Sequence, residues 1–399
     1  MALFDPIRIN SLTLPNRIVK SAMVVGRGER GRATPAVAET YERWSKGGVG
    51  LAVTGMMQVR PDSWLTPHEV HLEHDDTLAP LRQVTEAVHR HDGKIFFQLC
   101  HAPPQSSREA CTAYGGSTAP SAGFNKTNLL LDRALREDEI RAIVSSFGAA
   151  AERAKKAGAD GVQLHGAHGY LISRFISPKH NRRKDSWGGS FDRRLRFLEE
   201  VVRLVRSSVG KDFPVIIKLN AHDGEAGGLT LDEGVEIGRR LEAWGIDAIE
   251  VSAGTGDVGL GFYPNKGELP RDLGKQFLKQ QFPLMGPVTR FLDPAMSLLS
   301  RSARLEREAY FWPEARRFAD ALTIPVICVG GIRTLAMAER ILAESKVAMV
   351  SMARPLVRQP NLPNLWKSGK AASTTCTSCN RCFVQVGIGQ TLRCTQGQG

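Results

Sequence analysis

The stretch Asp160-Gly-Val-Gln-Leu-His165-Gly-Ala-His168-Gly-Tyr170 decides how the rest of the chain is read. Its first half, DGVQLH at 160–165, is a short run that does not alternate in polarity, as expected of a strand covered on both faces. Its second half sets two imidazoles three residues apart and a phenol two further on, in the loop that leaves the strand. What that loop means depends on how many strands of this kind the chain holds.

Seven more runs match it: IVKSAM near 18–23, VGLAVTG near 49–55, KIFFQL near 94–99, VIIKLN near 215–220, DAIEVS near 247–252, PVICVG near 325–330 and VAMVSM near 347–352. Longer amphipathic segments separate them. Thr34-Pro35 supplies an N-cap and a proline at N1 before AVAETYERWSK. Ile140, Ile143 and Phe147 recur at helical spacing, as do Leu195, Leu198, Val202 and Val205. Leu231 to Trp244 ends at Gly245, a C-cap signal.

Eight β-then-α units imply right-handed crossovers and a parallel sheet. A doubly wound sheet uses the same elements, but a count of eight favours closure into an α/β (β/α)8 TIM barrel, which carries its active residues at the C-terminal strand ends and in the loops after them. Length alone, 399 residues, suggests two or three domains, yet such a barrel absorbs most of that. The expected layout is a barrel over 1–370, with insertions at about 101–134 and 256–308, and a cysteine-rich tail over 371–399. Long insertions are usually functional, and 256–308 reads as a lid or an oligomer interface.

Composition narrows the class. Hydrophobic residues make up 42% and charged residues 24%, which is ordinary globular usage. No apolar run is long enough to cross a bilayer, and the start MALFDPIRIN lacks the basic and apolar regions of a secretory signal. The formal net charge of +12 raises nucleic acid or an anionic ligand as partners. The arginines are scattered, however, so solvated helix faces explain the excess better and no nucleic acid is expected. Seven cysteines, four of them at or beyond Cys376, do not form a disulfide framework and point to a reducing, cytoplasmic compartment.

Several residues are placed to carry chemistry. His165 and His168 offer N–H donors and Tyr170 a proton, so the trio suits an oxyanion grip with proton delivery. A metal pair, or two histidines satisfying strand-end carbonyls, fits the residues as well. Gly330-Gly331 and Ala353-Arg354 end strands seven and eight, where barrels commonly cradle a phosphate. Lys218 interrupts the apolar VIIKLN and must meet an anion if it faces inward. It reads either as a Schiff-base lysine or as the partner of an anionic cofactor ring. Gln98 offers amide hydrogen bonds to a ring edge. The tail spacing Cys376-x2-Cys379-x2-Cys382-x11-Cys394 fits a zinc site or an iron–sulfur cluster, and spacing does not choose between them.

Taken together, Leu3-Phe4-Pro6, NRIVKSAM, HGAHGYL, SPKHNRRKDSWGGSFDRRLRF, VGGI and MARPL resemble the Old Yellow Enzyme family of FMN-dependent oxidoreductases over about the first 360 residues, apart from the insertions. The resemblance implies FMN over the barrel mouth, with Ala22, Met23, Gly55, Gln98 and Lys218 along the isoalloxazine and Gly331, Ala353 and Arg354 on the phosphate. It implies that His165 and His168 bind the carbonyl of a small-molecule substrate and that Tyr170 donates the proton. The reaction implied is ping-pong: NAD(P)H reduces FMN, and hydride then passes to an activated alkene. Two departures stand out. Lys218 replaces an arginine, and His101-Ala-Pro103-Pro104 replaces the usual His-x-Gly-Arg.

The tail is similar to the [4Fe-4S] segment of the multidomain branch that includes trimethylamine dehydrogenase and 2,4-dienoyl-CoA reductase. There the cluster passes electrons between FMN and an added domain, which is not present before Gly399. An alternative is a flavin dehydrogenase or demethylase of a small substrate that hands electrons through the cluster to a redox partner. A homo-oligomer is compatible with either reading. A basic nucleic-acid-binding protein with a four-cysteine metal site is the remote third.

Overall fold

A computed structural model describes residues 2–103, 106, 108–113, 115–125, 130–255 and 308–396. Each of the eight runs forms a strand: β1 (Ile18–Lys20), β2 (Leu51–Gln58), β3 (Lys94–Cys100), β4 (Gly161–Gly166), β5 (Val215–Asn220), β6 (Ala248–Ser252), β7 (Val326–Val329) and β8 (Met349–Met352). All neighbouring pairs are parallel. The ring closes where Met352 lies opposite Lys20 and Val19 opposite Leu51. This is the expected (β/α)8 barrel.

Helices α1 (Pro35–Lys46), α2 (Leu78–His89), α3 (Glu137–Lys156), α4 (Phe191–Val209), α5 (Leu231–Ala243), α6 (Trp312–Ala321), α7 (Leu335–Glu344) and α8 (Leu362–Lys367) follow the strands in turn. Local chemistry starts several of them. Ser190 and Thr334 accept the N3 backbone N–H of α4 and α7, and Thr230 forms a capping box with Glu233 at α5. Arginines on the helix faces pair with acids one turn away, as in Arg141–Glu137, Arg203–Glu199 and Arg340–Glu344. Exposed pairs of this kind are worth about 0–1 kcal/mol each. Among the described residues no helix is long and apolar enough to cross a membrane.

The pleat sorts each strand between two cores. Ile18, Ile95 and Phe97 face the helix layer, whereas Val19, Phe96, Ile216, Ile327 and Met349 fill the barrel interior. Ile9 and Leu14, from an antiparallel hairpin at 7–14, join the interior cluster. Fully burying such a side chain contributes roughly 1.5–3 kcal/mol. The next inward positions toward the C-terminal strand ends are polar: Ser21, Gln98, Gln163, Lys218, Glu250 and Ser351, all buried. Strands that read as continuous runs therefore hide a polar layer at every second residue, directly beneath the barrel mouth.

The insertion after β3 contributes a short helix, Arg108–Ala113, and a small sheet of Thr118–Ala119, Gly123–Phe124 and Leu131–Ala134. Pro104 and the proposed insertion at 256–308, apart from Glu308, lie outside the described residues. The tail packs on the barrel. Cys382, Val386 and Leu392 belong to the main core, and Leu392 N donates to Val25 O at 2.9 Å.

Candidate active site at the barrel mouth

The end of β4 turns sharply. His168 holds φ 62° and Gly169 φ 77°, so a non-glycine residue occupies the left-handed region at a cost of about 1–2 kcal/mol. Surrounding contacts hold it there: His168 N donates to Asn220 Oδ1 at 3.1 Å, and Nε2 lies 2.7 Å from Ser252 Oγ. The turn brings three rings together. The His165 and His168 centroids are 5.2 Å apart at nearly a right angle, and Tyr170 sits 4.5 Å from His165. Tyr170 also packs on Met56, Cys100 and Ala102, which joins the end of β3 to that of β4.

Burial sets the protonation of all three. It pulls His165 well below the ordinary imidazole value, helped by His168 and Lys218. It brings His168 down to about 3, with Lys218 adding to the shift and Glu250 opposing it. The Tyr170 phenol is pushed well up by burial, then by Cys100 and Glu69. At neutral pH the trio is thus two neutral imidazoles and a protonated phenol. Ala167 N donates to His165 Nδ1 at 3.4 Å, which leaves the His165 hydrogen on Nε2.

Beneath these rings lies the polar layer. Strand register sets Lys218 beside Glu250 and Gln98 beside Gln163. Lys218 Nζ is 2.9 Å from Glu250 Oε1 and donates to Ser21 Oγ at 2.9 Å. Ser21 and Ser351 hydroxyls each donate to the same Oε1 at 2.8 Å. Gln163 Nε2 donates to Oε2 at 2.8 Å, and Gln98 Nε2 donates to Gln163 Oε1 at 2.7 Å. Burial alone would raise Glu250, but Lys218 and the hydroxyl and amide donors hold it below the usual carboxylate range. The anion that Lys218 requires is therefore a residue of the barrel. Sequence reasoning foresaw that need but missed Glu250, Gln163, Ser21, Ser351, Asn220 and Ser252. An acid inside the buried run DAIEVS was the available signal.

The other expected positions line the same rim. Ala22 and Met23 follow β1, and Gly55 lies in β2 where the pairing with β3 shifts register between Val53 and Met56. A Cβ on Gly55 would stand 2.6 Å from Met23 O, so only glycine lets the two segments meet. Gly330 and Gly331, at φ 116° and 73°, form the turn after β7. Ala353 precedes the short helix Arg354–Arg358. Arg354 is buried, and its Nη1 donates to Asn380 Oδ1 and, at 3.4 Å, to Ser378 O. Its guanidinium thus also engages the tail.

Cys376, Cys379, Cys382 and Cys394 line a single recess together with Arg354 and Arg358. Burial raises the Cys376 thiol and pushes Cys382 up to about 12, its neighbour Cys376 adding to the latter. Among the described residues no three His, Cys, Asp or Glu side chains are grouped to hold one metal ion. Thr374 N donates to Arg333 O and Leu335 N to Ala372 O, both at 2.9 Å. The tail is thereby tied to the segment after β7, by Arg354 to the helix after β8, and by Leu392 to the loop after β1.

A family model described as NADH:flavin oxidoreductase / NADH oxidase matches residues 2–255. The chain belongs to this family. It is 33% identical over 399 residues to an NADH oxidase of Thermoanaerobacter brockii, covering 98% of this chain and 54% of the relative. It is 31% identical over 390 residues to a 4,4'-dithiodibutanoate disulfide reductase of Rhodococcus erythropolis, covering 97% and 94%. The chain thus spans about half the length of the first relative and nearly all of the second. Among solved structures, a 2-naphthoyl-CoA reductase superposes with a TM-score of 0.83 at 24% identity, covering 98% of this chain and 56% of that one. An Old Yellow Enzyme homologue from Zymomonas mobilis gives 0.73 at 23%, covering 99% and 98%. These likenesses establish the barrel fold.

The family implies a flavin, and the residues fit one. Two positive-φ glycines end β7, and Lys218 of the polar layer lies opposite His165 in the strand register.

Proposed function

We propose that this protein is an NAD(P)H-dependent FMN oxidoreductase that reduces an activated C=C bond by a ping-pong mechanism. The observation that carries the reading is the trio itself: two neutral imidazoles in edge contact, with a protonated phenol 4.5 Å from one of them, at the mouth of a family barrel.

Ala22, Met23, Gly55, Gln98 and Lys218 would hold the isoalloxazine, and Gly331, Ala353 and Arg354 the phosphate. Bound there, FMN supplies a two-electron carrier that takes hydride from NAD(P)H and releases it to a second substrate. His165, with its hydrogen on Nε2, and His168 donate to the substrate carbonyl oxygen. Negative charge grows on that oxygen as the alkene accepts hydride, and each well-placed donor there is worth about 2.7–4 kcal/mol. Tyr170 delivers the proton that completes the saturated product, a transfer contributing about 10²–10⁴ in rate. Low imidazole pKa values suit this division of labour, because neutral rings grip the oxygen without protonating it.

In the tail, the four thiols around one recess are read as [4Fe-4S] ligands on the similarity of their spacing to the cluster segment of the multidomain branch. Cys376, Cys379, Cys382 and Cys394 would be the ligands.

The test is spectroscopic. Anaerobically purified protein should show flavin absorption that NAD(P)H bleaches and an α,β-unsaturated ketone restores, with iron and sulfide in near-equal amounts. A flavin that NAD(P)H leaves oxidised would move the reading to a dehydrogenase serving a redox partner. A colourless folded protein that rejects added FMN would end it.

A further inference from the structure

The polar layer is an ordered relay, and its direction is fixed at one end. Glu250 is fully buried and, paired with Lys218, stays ionised. An ionised carboxylate only accepts hydrogen bonds. Gln163 must therefore turn its amide N–H to Glu250 Oε2, as it does at 2.8 Å, and present its oxygen to the other side. Gln98 must then give an N–H to that oxygen, at 2.7 Å, and present its own carbonyl oxygen away from the relay. The same carboxylate cancels the charge of Lys218, the only counter-ion to which that ammonium is joined among the described contacts.

We infer that Glu250 is a positioning residue with two effects on the cofactor site: it fixes which end of the Gln98 amide faces the flavin, and it holds the net charge of the Lys218 pair at zero. This rests on the FMN reading above. Lys218 replaces an arginine in the family pattern, and with Glu250 attached it does not act as a lone cation beside the reduced ring. A reduced flavin carries negative charge, so a neutralised lysine stabilises it less than an unopposed one.

The sign follows directly. Glu250→Gln removes the anion, leaves Lys218 unopposed and favours reduced FMN. Ser351→Ala removes one donor from Glu250 Oε1, lets more of the carboxylate's field reach the site and disfavours reduced FMN. Both variants are to be examined as anaerobic holoenzymes by dye-coupled titration at the flavin band, without NAD(P)H or substrate. At the potential where wild-type FMN is half reduced, Glu250→Gln is expected to raise the reduced-to-oxidised ratio about tenfold, close to 30 mV for a two-electron couple. Ser351→Ala is expected to lower it about threefold. Gln163→Leu cuts the relay and, like Ser351→Ala, removes a donor from Glu250, so the FMN dissociation constant should rise about tenfold while the reduced-to-oxidised ratio falls about threefold.

Should Glu250→Gln not fold, Ser351→Ala carries the charge test. Midpoints within a factor of two of wild type in every folded variant overturn the charge assignment, and unaltered FMN affinity in Gln163→Leu overturns the orienting one. Wild-type protein that binds no FMN defeats instead the reading on which both rest.

Discussion

Lys218 Nζ lies 2.9 Å from Glu250 Oε1, with both side chains closed to solvent inside the barrel. Removing one member of such a pair strands the other charge in a low-dielectric site, typically costing about 3–5 kcal/mol. Lys218→Met is therefore expected to lower unfolding free energy by that order in urea titrations at pH 7. The pair also has a pH signature. Glu250 titrates below its unfolded value, so its contribution is full above about pH 4.5 and fades as pH falls through the folded value. Wild-type stability that did not decline in that acid window would count against an ionised Glu250.

Lys20 presents the opposite case. Its ammonium is fully buried, stacked 4.2 Å over Trp44 and bonded to Ser21 O. Burial first, and Lys218 second, bring it down to about 7. The folded state therefore sheds this proton near pH 7, while the unfolded chain keeps it to about pH 10.4. Between those limits stability should rise with pH. Lys20→Met is expected to stabilise the protein at pH 6 by about 1–3 kcal/mol and to flatten the slope from pH 7 to 10, read by urea melts across pH. A destabilised variant would show that the ammonium has a structural partner worth more than its burial cost.

Tyr170 and His165 should separate kinetically. Tyr170→Phe keeps the packing on Met56 and Cys100 but loses the proton, so the oxidative half-reaction should slow about 10²–10⁴-fold while flavin reduction stays nearly intact. His165→Ala should weaken binding of a phenolate ligand and lower alkene turnover about 10²–10³-fold. Stopped-flow measurement of each half-reaction checks this, and equal turnover in both variants contradicts the assigned roles.

The tail should lose its metal without losing its place. Cys379→Ser is expected to cut iron and sulfide per chain several-fold after anaerobic purification. Far-UV circular dichroism should not change, because the Leu335–Ala372, Thr374–Arg333 and Leu392–Val25 backbone bonds do not involve the thiols. Full iron retention would remove Cys379 from the ligand set.

Much of this was legible in the chain itself. Eight short buried runs separated by amphipathic segments pointed to the barrel, because a parallel strand covered by helices on one face and by the barrel interior on the other is buried on both. HGAHGY was legible as well, since the ring chemistry is carried by close neighbours in sequence at the end of one strand and in the turn after it.

What only the tertiary structure decided is the company these residues keep. Gln98, Gln163, Lys218 and Glu250 come from four different strands, and their contacts exist because closing the ring fixes the register of each strand against the next. Arg354 reads as a phosphate ligand in one dimension, yet the fold also brings Asn380 of the tail to its guanidinium. The protonation of His165 and His168 belongs to the fold too. Sequence names the imidazoles, but burial beside Lys218 of the next strand is what keeps them neutral.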